Sequence, residues 1–187
     1  MAVHGERAYA IFATGDIVCL DFTGETRWGR NLGVPDNHYG HASSLIAYGG
    51  ILYVQMDDKE DPRLLALDAA TGEEVWKAQR ERISWASPAI IHPEGDAQLV
   101  LCGERTVTGY DPLDGAVLWQ VSPLSGEVAP SPAFAQDTVF VANEYAVAAA
   151  IRLDTSGTGA SAEVAWEYDY YLPEVASPVG GEEHFFI

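Results

Sequence analysis

Two histidines separated by two residues are the clearest candidates for metal chemistry in this sequence. His38 and His41 lie in the segment PDNHYGH, and imidazoles combined with one or two carboxylates can bind zinc. Nothing in the sequence fixes a third ligand, so we predict no metal site. The acidic run 57–61, DDKED, lacks the spaced Asp, Asn and Gly residues of a calcium loop, and we interpret it as a solvated loop.

Nucleophilic and redox chemistry has little support. The chain has two cysteines, Cys19 and Cys102, each inside an apolar run, and we interpret both as buried free thiols. The sequence has no GxSxG motif, no HExxH motif and no glycine-rich loop that would hold a phosphate. We therefore predict no catalytic residues.

The composition excludes several classes of partner. The 187 residues include 28 Asp and Glu against 10 Lys and Arg, a formal net charge of −18. This charge argues against nucleic acid and against an anionic membrane surface. No apolar run reaches the roughly 18 residues of a membrane span, and the first residues lack the pattern of a signal peptide. The 18 Gly and 10 Pro favour many short strands and turns.

A repeat organises the chain and must position any site. Four of the five tryptophans are Trp28, Trp76, Trp119 and Trp166. Each closes a similar phrase, and the clearest are ALDAATGEEVW and GYDPLDGAVLW. The first three phrases carry a glycine four residues before the tryptophan: Gly24, Gly72 and Gly115. The fourth phrase has an insertion between Asp154 and Trp166.

A second phrase repeats in the same rhythm. HASSLIA, WASPAII, APSPAFA and VASPVGG align on the serines Ser43, Ser87, Ser131 and Ser177. A third apolar run lies between the two phrases. Each unit therefore predicts four strands: a serine-phrase strand A, an apolar strand B, a strand C that ends in Asp, and a strand D that carries Trp.

We assign structural roles to the repeated residues. An Asp at the end of strand C can accept backbone N–H bonds, as Asx turns do, and the four aligned residues are Asp21, Asp68, Asp111 and Asp154. Thr71 and Gly72 form a tight turn in which glycine supplies a positive φ. The small strand C residues Cys19, Ala66 and Gly109 allow close packing, and Arg152 breaks this pattern in the last unit.

A unit of about 45 residues with four antiparallel strands has the size of a β-propeller blade. A β-sandwich also has many short strands, but it needs no such repeat. We therefore predict an all-β fold, a β-propeller of four-stranded antiparallel blades.

The phrase A-x-D-x-x-T-G-x-x-x-W resembles the tryptophan-docking repeat of the pyrroloquinoline-quinone (PQQ) type of β-propeller. The resemblance covers almost the whole chain, although Asp114 replaces Thr in the third unit and the first unit is one residue shorter. It implies an eight-bladed ring in which the repeated tryptophans are structural. The superfamily includes quinoprotein alcohol dehydrogenases, the scaffold lipoprotein of the outer-membrane β-barrel assembly machinery, and PQQ-binding-like repeat proteins. The chain looks most like the last group.

The order of the strands predicts about four blades of such a ring, an open half. The chain ends within an apolar strand, which would leave an unpaired edge, so we expect a partial propeller. The predicted divisions are 1–34 as strands B–D of a first blade, 41–81, 85–122 and 129–170 as three further blades, and 175–187 as the start of a fifth.

The loops that enter strand A are the candidate binding region, because such loops converge at the channel mouth of a propeller. Their candidate binding residues are His38, Tyr39, His41, Trp85, Glu127 and Glu174. Aromatic, imidazole and carboxylate groups at one rim would suit a cation, a sugar or a peptide. The alternative is that they are ordinary loop residues, with Trp85 packed on a neighbouring blade.

The leading hypothesis is a non-catalytic scaffold or binding module. Its expected partner is a protein or peptide, the missing half-propeller, or a second copy in a homodimer. The resemblance implies an extracytoplasmic location, in the periplasm or cell envelope. The alternative is a PQQ-dependent alcohol or sugar oxidoreductase, or a remnant of one, which would use PQQ and Ca²⁺. Such enzymes carry adjacent cysteines that this sequence lacks, so we predict no cofactor under the leading hypothesis.

Overall fold

The computed structural model describes residues 1–155 and 159–187. In this described part the regular structure is β-strand, apart from one 3₁₀ turn at Pro93–Gly95. No helix among these residues has the length and apolar character of a membrane span. The chain divides into two compact units, Met1–Ile83 and Ser84–Ile187. The predicted all-β fold of four-stranded antiparallel propeller blades is confirmed.

The first unit contains two blades, and in each blade successive strands pair antiparallel. Strands β1 to β4 of the first blade are Ala2–His4, Arg7–Ile11, Asp16–Asp21 and Thr26–Asn31. Strands β5 to β8 of the second blade are Ile46–Tyr48, Ile51–Met56, Arg63–Asp68 and Glu74–Gln79.

The second unit contains two further blades and one hairpin. Strands β9 to β12 are Ala89–Ile91, Gln98–Cys102, Val107–Tyr110 and Val117–Val121. Strands β13 to β16 are Ala133–Ala135, Thr138–Ala142, Ala148–Asp154 and Ser161–Tyr168. The hairpin consists of β17 and β18, Val179–Gly180 and Phe185–Phe186, the strands A and B expected at the start of a fifth blade.

The first blade has four strands, whereas the sequence predicted only strands B–D over residues 1–34. The additional strand A is β1, which pairs with β2 through Ala2 and Tyr9, Val3 and Ala8, and His4 and Arg7. Its three residues carry no serine phrase and are too short for an alternating pattern. The turn at Gly5, where φ is +59°, brings β1 back onto β2.

The core of each unit comes from strands B and C, because these are the central strands of every blade. In the first unit Leu52, Val54 and Leu67 are buried together with residues of the first blade. In the second unit Val100, Val141 and Ile151 belong to one buried cluster. Each buried aliphatic side chain of this size contributes about 1.5–3 kcal/mol, so blade-to-blade packing stabilises both units.

Trp28 joins the two blades of the first unit. Its indole Nε1 donates to the carbonyl oxygen of Ala69, at 3.1 Å, and the Tyr9 hydroxyl donates to the same oxygen, at 3.0 Å. The indole ring covers Gly72, where an added Cβ would lie 2.7 Å from Trp28 Cε3. Glycine is therefore required at residue 72 for close packing as well as for its φ of +75°.

In the first three blades the turns between strands C and D are Asx turns. Asp68 Oδ1 accepts the backbone N–H groups of Ala70 and Thr71, both at 2.8 Å. Asp21 Oδ1 accepts two backbone N–H bonds in the same way, and Asp111 Oδ1 accepts one. Gly24, Gly72 and Gly115 all have positive φ angles, between 75° and 87°. These turns hold each strand D against its own strand C.

The fourth repeat has a different register from the one that the sequence alignment assigned. In the first three blades the strand C residue opposite the tryptophan is Cys19, Ala66 or Gly109, and a bulge follows it directly. In the fourth blade Ala150 lies opposite Trp166, with the same bulge after it. The alignment of Arg152 with the small residues was therefore wrong by two positions.

The same shift changes the role of Asp154. Arg152 now occupies the strand position of Asp68, since both lie two residues after the small residue that faces the tryptophan. Asp154 lies two residues further, in a longer hairpin. The physical reason is the insertion after Asp154, part of which (156–158) lies outside the described residues.

The tryptophans of the second unit lie in different surroundings. Trp119 is 5% exposed, lies over Gly109 and donates from Nε1 to Gln98 Oε1 at 2.6 Å. Trp166 packs beside Phe140, with ring centroids 5.5 Å apart, yet remains 48% exposed. The ring of Phe185, in the terminal hairpin, stacks on the ring of Phe140.

Candidate functional site

The long loops that enter strand A lie at the same end of each blade as the turns between strands B and C. In the first unit the loop 32–45 contacts the turn 57–62. The backbone N–H of Asp36 donates to Asp58 Oδ2, at 2.7 Å, and Lys59 Nζ lies 3.1 Å from Asp36 Oδ1. These bonds hold the loop that carries three of the six candidate residues.

His38 and Tyr39 form an aromatic pair on this loop. Their ring centroids are 4.2 Å apart, and both side chains are exposed, Tyr39 by 64%. The Tyr39 backbone N–H donates to Asn37 Oδ1, and Asn37 Nδ2 donates to the carbonyl oxygen of Asp57. The loop thus exposes both rings to solvent, while the hydrogen bonds of Asn37 fix its backbone.

His41 lies deeper than its neighbours on the loop. Its Nε2 is buried and has no hydrogen-bond partner among the described residues. Burial lowers the pKa of the His41 imidazole, and a hydrogen bond with the Ser43 backbone and the charge of Asp57 only partly oppose this effect. Burial therefore favours the neutral form of this ring.

Asp57 forms a buried ion pair beneath this loop, which the interpretation of residues 57–61 as a solvated loop did not predict. Arg80 Nε lies 2.8 Å from Asp57 Oδ1, and both side chains are almost fully buried. Gln55 Nε2 donates to Asp57 Oδ2 at 2.7 Å. Asp58 is also held, because its Oδ1 accepts the backbone N–H of Glu60. The solvated-loop interpretation was wrong for Asp57, whose charge Arg80 compensates.

Trp85 and Glu127 lie on neighbouring loops of the second unit. The Trp85 backbone N–H donates to the carbonyl oxygen of Val128 at 2.8 Å. The Trp85 side chain is half-buried and the Glu127 side chain is exposed. Ser84, which is buried, donates to the carbonyl oxygen of Cys102 at 2.7 Å. The structure therefore brings these two loops together and anchors one of them on strand β10.

Glu174 is exposed on the loop between β16 and β17. The six candidates divide into His38, Tyr39 and His41 in the first unit and Trp85, Glu127 and Glu174 in the second. That all six share one channel mouth stays a prediction.

Three features at these loops were not assigned by the sequence. Asn143 is fully buried and donates from Nδ2 to the carbonyl oxygen of Ser125, at 2.6 Å. Tyr170 and Tyr171 are exposed on the loop between β16 and β17. The signal that could have revealed the tyrosines is their density, since residues 166–171 read WEYDYY.

A bound metal ion or quinone would need a suitable set of donor side chains. Among residues 1–155 and 159–187, no group of three or more His, Cys, Asp or Glu side chains is arranged to hold a metal ion. Cys19 and Cys102 are both buried free thiols, as predicted. The described residues therefore do not fit the calcium and adjacent-cysteine arrangement of the quinoprotein enzymes.

Four-stranded blades with fixed loops at one end define a β-propeller repeat protein. A family model described as outer membrane protein assembly factor BamB matches residues 1–177, and the chain belongs to this family. The resemblance to PQQ-type repeat proteins is thereby confirmed.

Solved structures are similar to this chain over most of its length. BamB from Moraxella catarrhalis has a TM-score of 0.67 and 18% identity, over 98% of this chain and 55% of that chain. Quinohemoprotein alcohol dehydrogenase ADHIIG from Pseudomonas putida HK5 has a TM-score of 0.60 and 15% identity, over 90% of this chain and 34% of that chain. A chain of the mitotic checkpoint complex has a TM-score of 0.69 and 10% identity, over 95% and 53%.

These similarities establish the fold alone, because the identities are low. This chain spans about half the length of the Moraxella protein and about one third of the dehydrogenase. The comparison with curated protein sequences returned no match.

Proposed function

We propose that this chain is a non-catalytic β-propeller scaffold that binds a protein or peptide in the cell envelope. The observation that carries the proposal is the anchoring of the loops that enter strand A. Hydrogen bonds fix their backbones to neighbouring turns, while Tyr39 and Glu127 remain exposed. A loop whose backbone is already fixed loses little further backbone entropy when a partner binds its exposed side chains.

Family membership supports a protein partner. The family description names outer membrane protein assembly, and a chain of this family is expected to act outside the cytoplasm. The partner proposed is therefore an envelope protein, with a second copy or the missing half-propeller as the other candidates. The net charge of −18 supports the exclusion of nucleic acid.

The alternative is a PQQ-dependent oxidoreductase of alcohols or sugars, or a remnant of one. The similarity of fold to the quinohemoprotein dehydrogenase is what favours this alternative. The lack of a three-ligand group among the described residues counts against it. If the alternative is correct, PQQ and Ca²⁺ added to the protein will support reduction of an electron-acceptor dye with an alcohol.

Site-specific photo-crosslinking tests the proposal. We would place a photoreactive phenylalanine analogue at Tyr39 or at Glu127 and irradiate the protein with an envelope extract. The matched control is Leu113, which is 72% exposed on the turn at the opposite end of its blade. We expect one defined protein adduct from the loop positions and none from residue 113.

Two results would contradict the proposal. Equal crosslinking from all three positions would mean that the loops have no special role. Dye reduction with PQQ and Ca²⁺, in the absence of any adduct, would favour the oxidoreductase.

A further inference from the structure

Strand β16 and the loop after it expose an unusual density of aromatic side chains. Tyr168 lies on β16, and Tyr170 and Tyr171 follow on the loop. We call these three tyrosines the aromatic strip. The ring centroids of Tyr168 and Tyr170 are 5.7 Å apart, so neighbouring members of the strip lie close to each other. Tyr170 is 63% exposed and Tyr171 is 97% exposed.

Tyr171 has backbone geometry that suits glycine better than tyrosine. Its φ is +49°, and a residue with a Cβ pays about 1 kcal/mol or more for the left-handed region. Burial of the Tyr171 ring does not offset this conformational cost, since nearly the whole side chain is exposed. The fold of the free chain therefore gives no reason for an aromatic residue at this position.

The charge around the strip is strongly negative. No Lys or Arg follows Arg152, whereas 154–187 contains seven Asp and Glu residues. Three of them, Glu167, Asp169 and Glu174, lie next to or shortly after members of the strip and are exposed. Arg152 itself lies 3.3 Å from Glu163, so this cation is already engaged with a carboxylate.

The acidity is concentrated in the second unit. Residues 84–187 contain 15 Asp and Glu and 2 Arg, a formal net charge of −13, whereas residues 1–83 contain 13 Asp and Glu and 8 Lys and Arg, a net charge of −5. These values add to the −18 of the chain. A ligand that binds the aromatic strip therefore contacts the more negative of the two units.

We propose that the aromatic strip is a docking surface for a polypeptide segment that carries Lys or Arg side chains. Tyrosine faces attract cations within about 6 Å, and the neighbouring carboxylates supply charge-assisted hydrogen bonds. The proposal rests on the protein-binding function above and specifies the chemistry of the partner. A second copy is disfavoured as the occupant, because two such negative surfaces repel each other.

Binding of a defined basic peptide to the whole chain tests this inference. The probe is a fluorescently labelled ten-residue peptide of alternating Arg and Ser, and its counterpart has Glu in place of Arg. We expect fluorescence anisotropy to show binding of the Arg peptide alone. The affinity should fall as salt is raised, because exposed charges are screened.

The variant for this test is the double substitution Tyr170→Ser, Tyr171→Ser, which changes two exposed side chains. It should weaken Arg-peptide binding about tenfold, the loss expected when two cation–π contacts are removed. Tyr145→Ser is the matched control, since Tyr145 is 61% exposed in the same unit, and it should leave binding unchanged. Glu167→Gln, Asp169→Asn should reduce the salt dependence.

Three outcomes would overturn the inference. They are no binding of the Arg peptide at low salt, equal weakening by Tyr145→Ser, and a change of molecular mass in light scattering when the strip is substituted. The last outcome would identify the strip as a contact between copies. If the peptide fails to bind while crosslinking from Tyr39 still yields its adduct, the proposed function stands and this inference alone is wrong.

Discussion

The backbone N–H of Ser87 donates a hydrogen bond of 2.8 Å to the hydroxyl oxygen of Ser131, which lies 44 residues further along the chain. The Ser131 N–H in turn donates to the Ser177 hydroxyl oxygen, at 2.9 Å. Each bond links the start of one strand A to the equivalent point of the next repeat. The repeated serine thus connects neighbouring repeats within the second unit, a role that its recurrence in the sequence did not reveal.

Ser131→Ala removes the acceptor for the Ser87 N–H. We expect a loss of about 1 kcal/mol in the free energy of unfolding, the usual cost of a partly buried hydrogen bond. Urea denaturation measures this loss. Ser122→Ala is the control, because Ser122 is exposed, and it should change stability by less than about 0.5 kcal/mol. Equal effects of the two substitutions would show that the inter-repeat bond contributes nothing.

Gly72→Ala should destabilise the chain by about 2–4 kcal/mol, because the new Cβ would combine an unfavourable φ with overpacking against Trp28. Gly24→Ala has the same backbone problem, with φ at +87°, but its Cβ would meet nothing within 4 Å. We expect that control to cost only about 1 kcal/mol. Thermal unfolding of both variants separates packing from backbone strain, and similar losses would contradict the assigned Trp28 contact.

Arg80→Met should cost about 3–5 kcal/mol, since it leaves the Asp57 carboxylate buried without its cation. The exposed pair between Lys59 and Asp36 offers a matched comparison. Lys59→Met should cost less than about 1 kcal/mol, as is usual for ion pairs in solvent. Chemical denaturation of the two variants measures the difference. A small loss for Arg80→Met would mean that the buried pair relaxes into contact with water.

Ala150→Leu tests the register of the fourth blade. Ala150 is buried opposite Trp166, so the larger side chain should destabilise the chain by about 1–3 kcal/mol. Arg152→Leu, at an exposed position of the same strand, should change stability by less than about 0.5 kcal/mol. If urea denaturation shows the larger loss of stability for Arg152→Leu, the register that the repeat predicted is the correct one.

We predict that the chain loses stability in acid in part because Asp21 becomes protonated. The pKa of this carboxyl is lowered from 3.8 to about 2. The largest cause is the hydrogen bond from the Thr23 side chain, and the next is the hydrogen bond from the Glu25 backbone. A carboxyl with a lowered pKa stabilises the fold above its unfolded pKa of about 4, and the contribution disappears as the pH falls through about 2.

Urea denaturation between pH 5 and pH 2 checks this expectation. Asp21→Asn keeps a side-chain acceptor and removes the titration, so its stability should fall less steeply below pH 4 than that of the wild type. Glu81→Gln, at an exposed position, is the control and should follow the wild type. Parallel curves for all three proteins would contradict the role assigned to Asp21.

The fold class and the strand order of the blades could be predicted from the repeat, because four-stranded units of about 45 residues have few packing solutions. The equivalence of the small residues Cys19, Ala66 and Gly109 was also predicted from the repeat, and the strand pairing adds that each of them lies opposite its tryptophan. The fourth repeat was aligned wrongly, because it was matched on Asp154, which lies two residues beyond the strand position of Asp68. Only the strand pairing decides that Ala150, and not Arg152, faces Trp166.

The candidate site was predictable only in part. Loops that enter strand A were recognised from the strand order, and they contain all six candidate residues. The sequence did not show that Asp57 is buried against Arg80, since an acidic run has the same composition whether it is solvated or paired.

By itself the sequence determined the repeat, its strands, its Asx turns and its acidity, because these follow from local residue types and spacing. The tertiary structure alone decided which side chains are exposed and which loops are anchored. It placed Trp119 in a core and left Trp166 largely in solvent, although both close the same phrase. The physical reason is that burial depends on what the neighbouring strands and loops cover, and the sequence around each tryptophan does not contain that information.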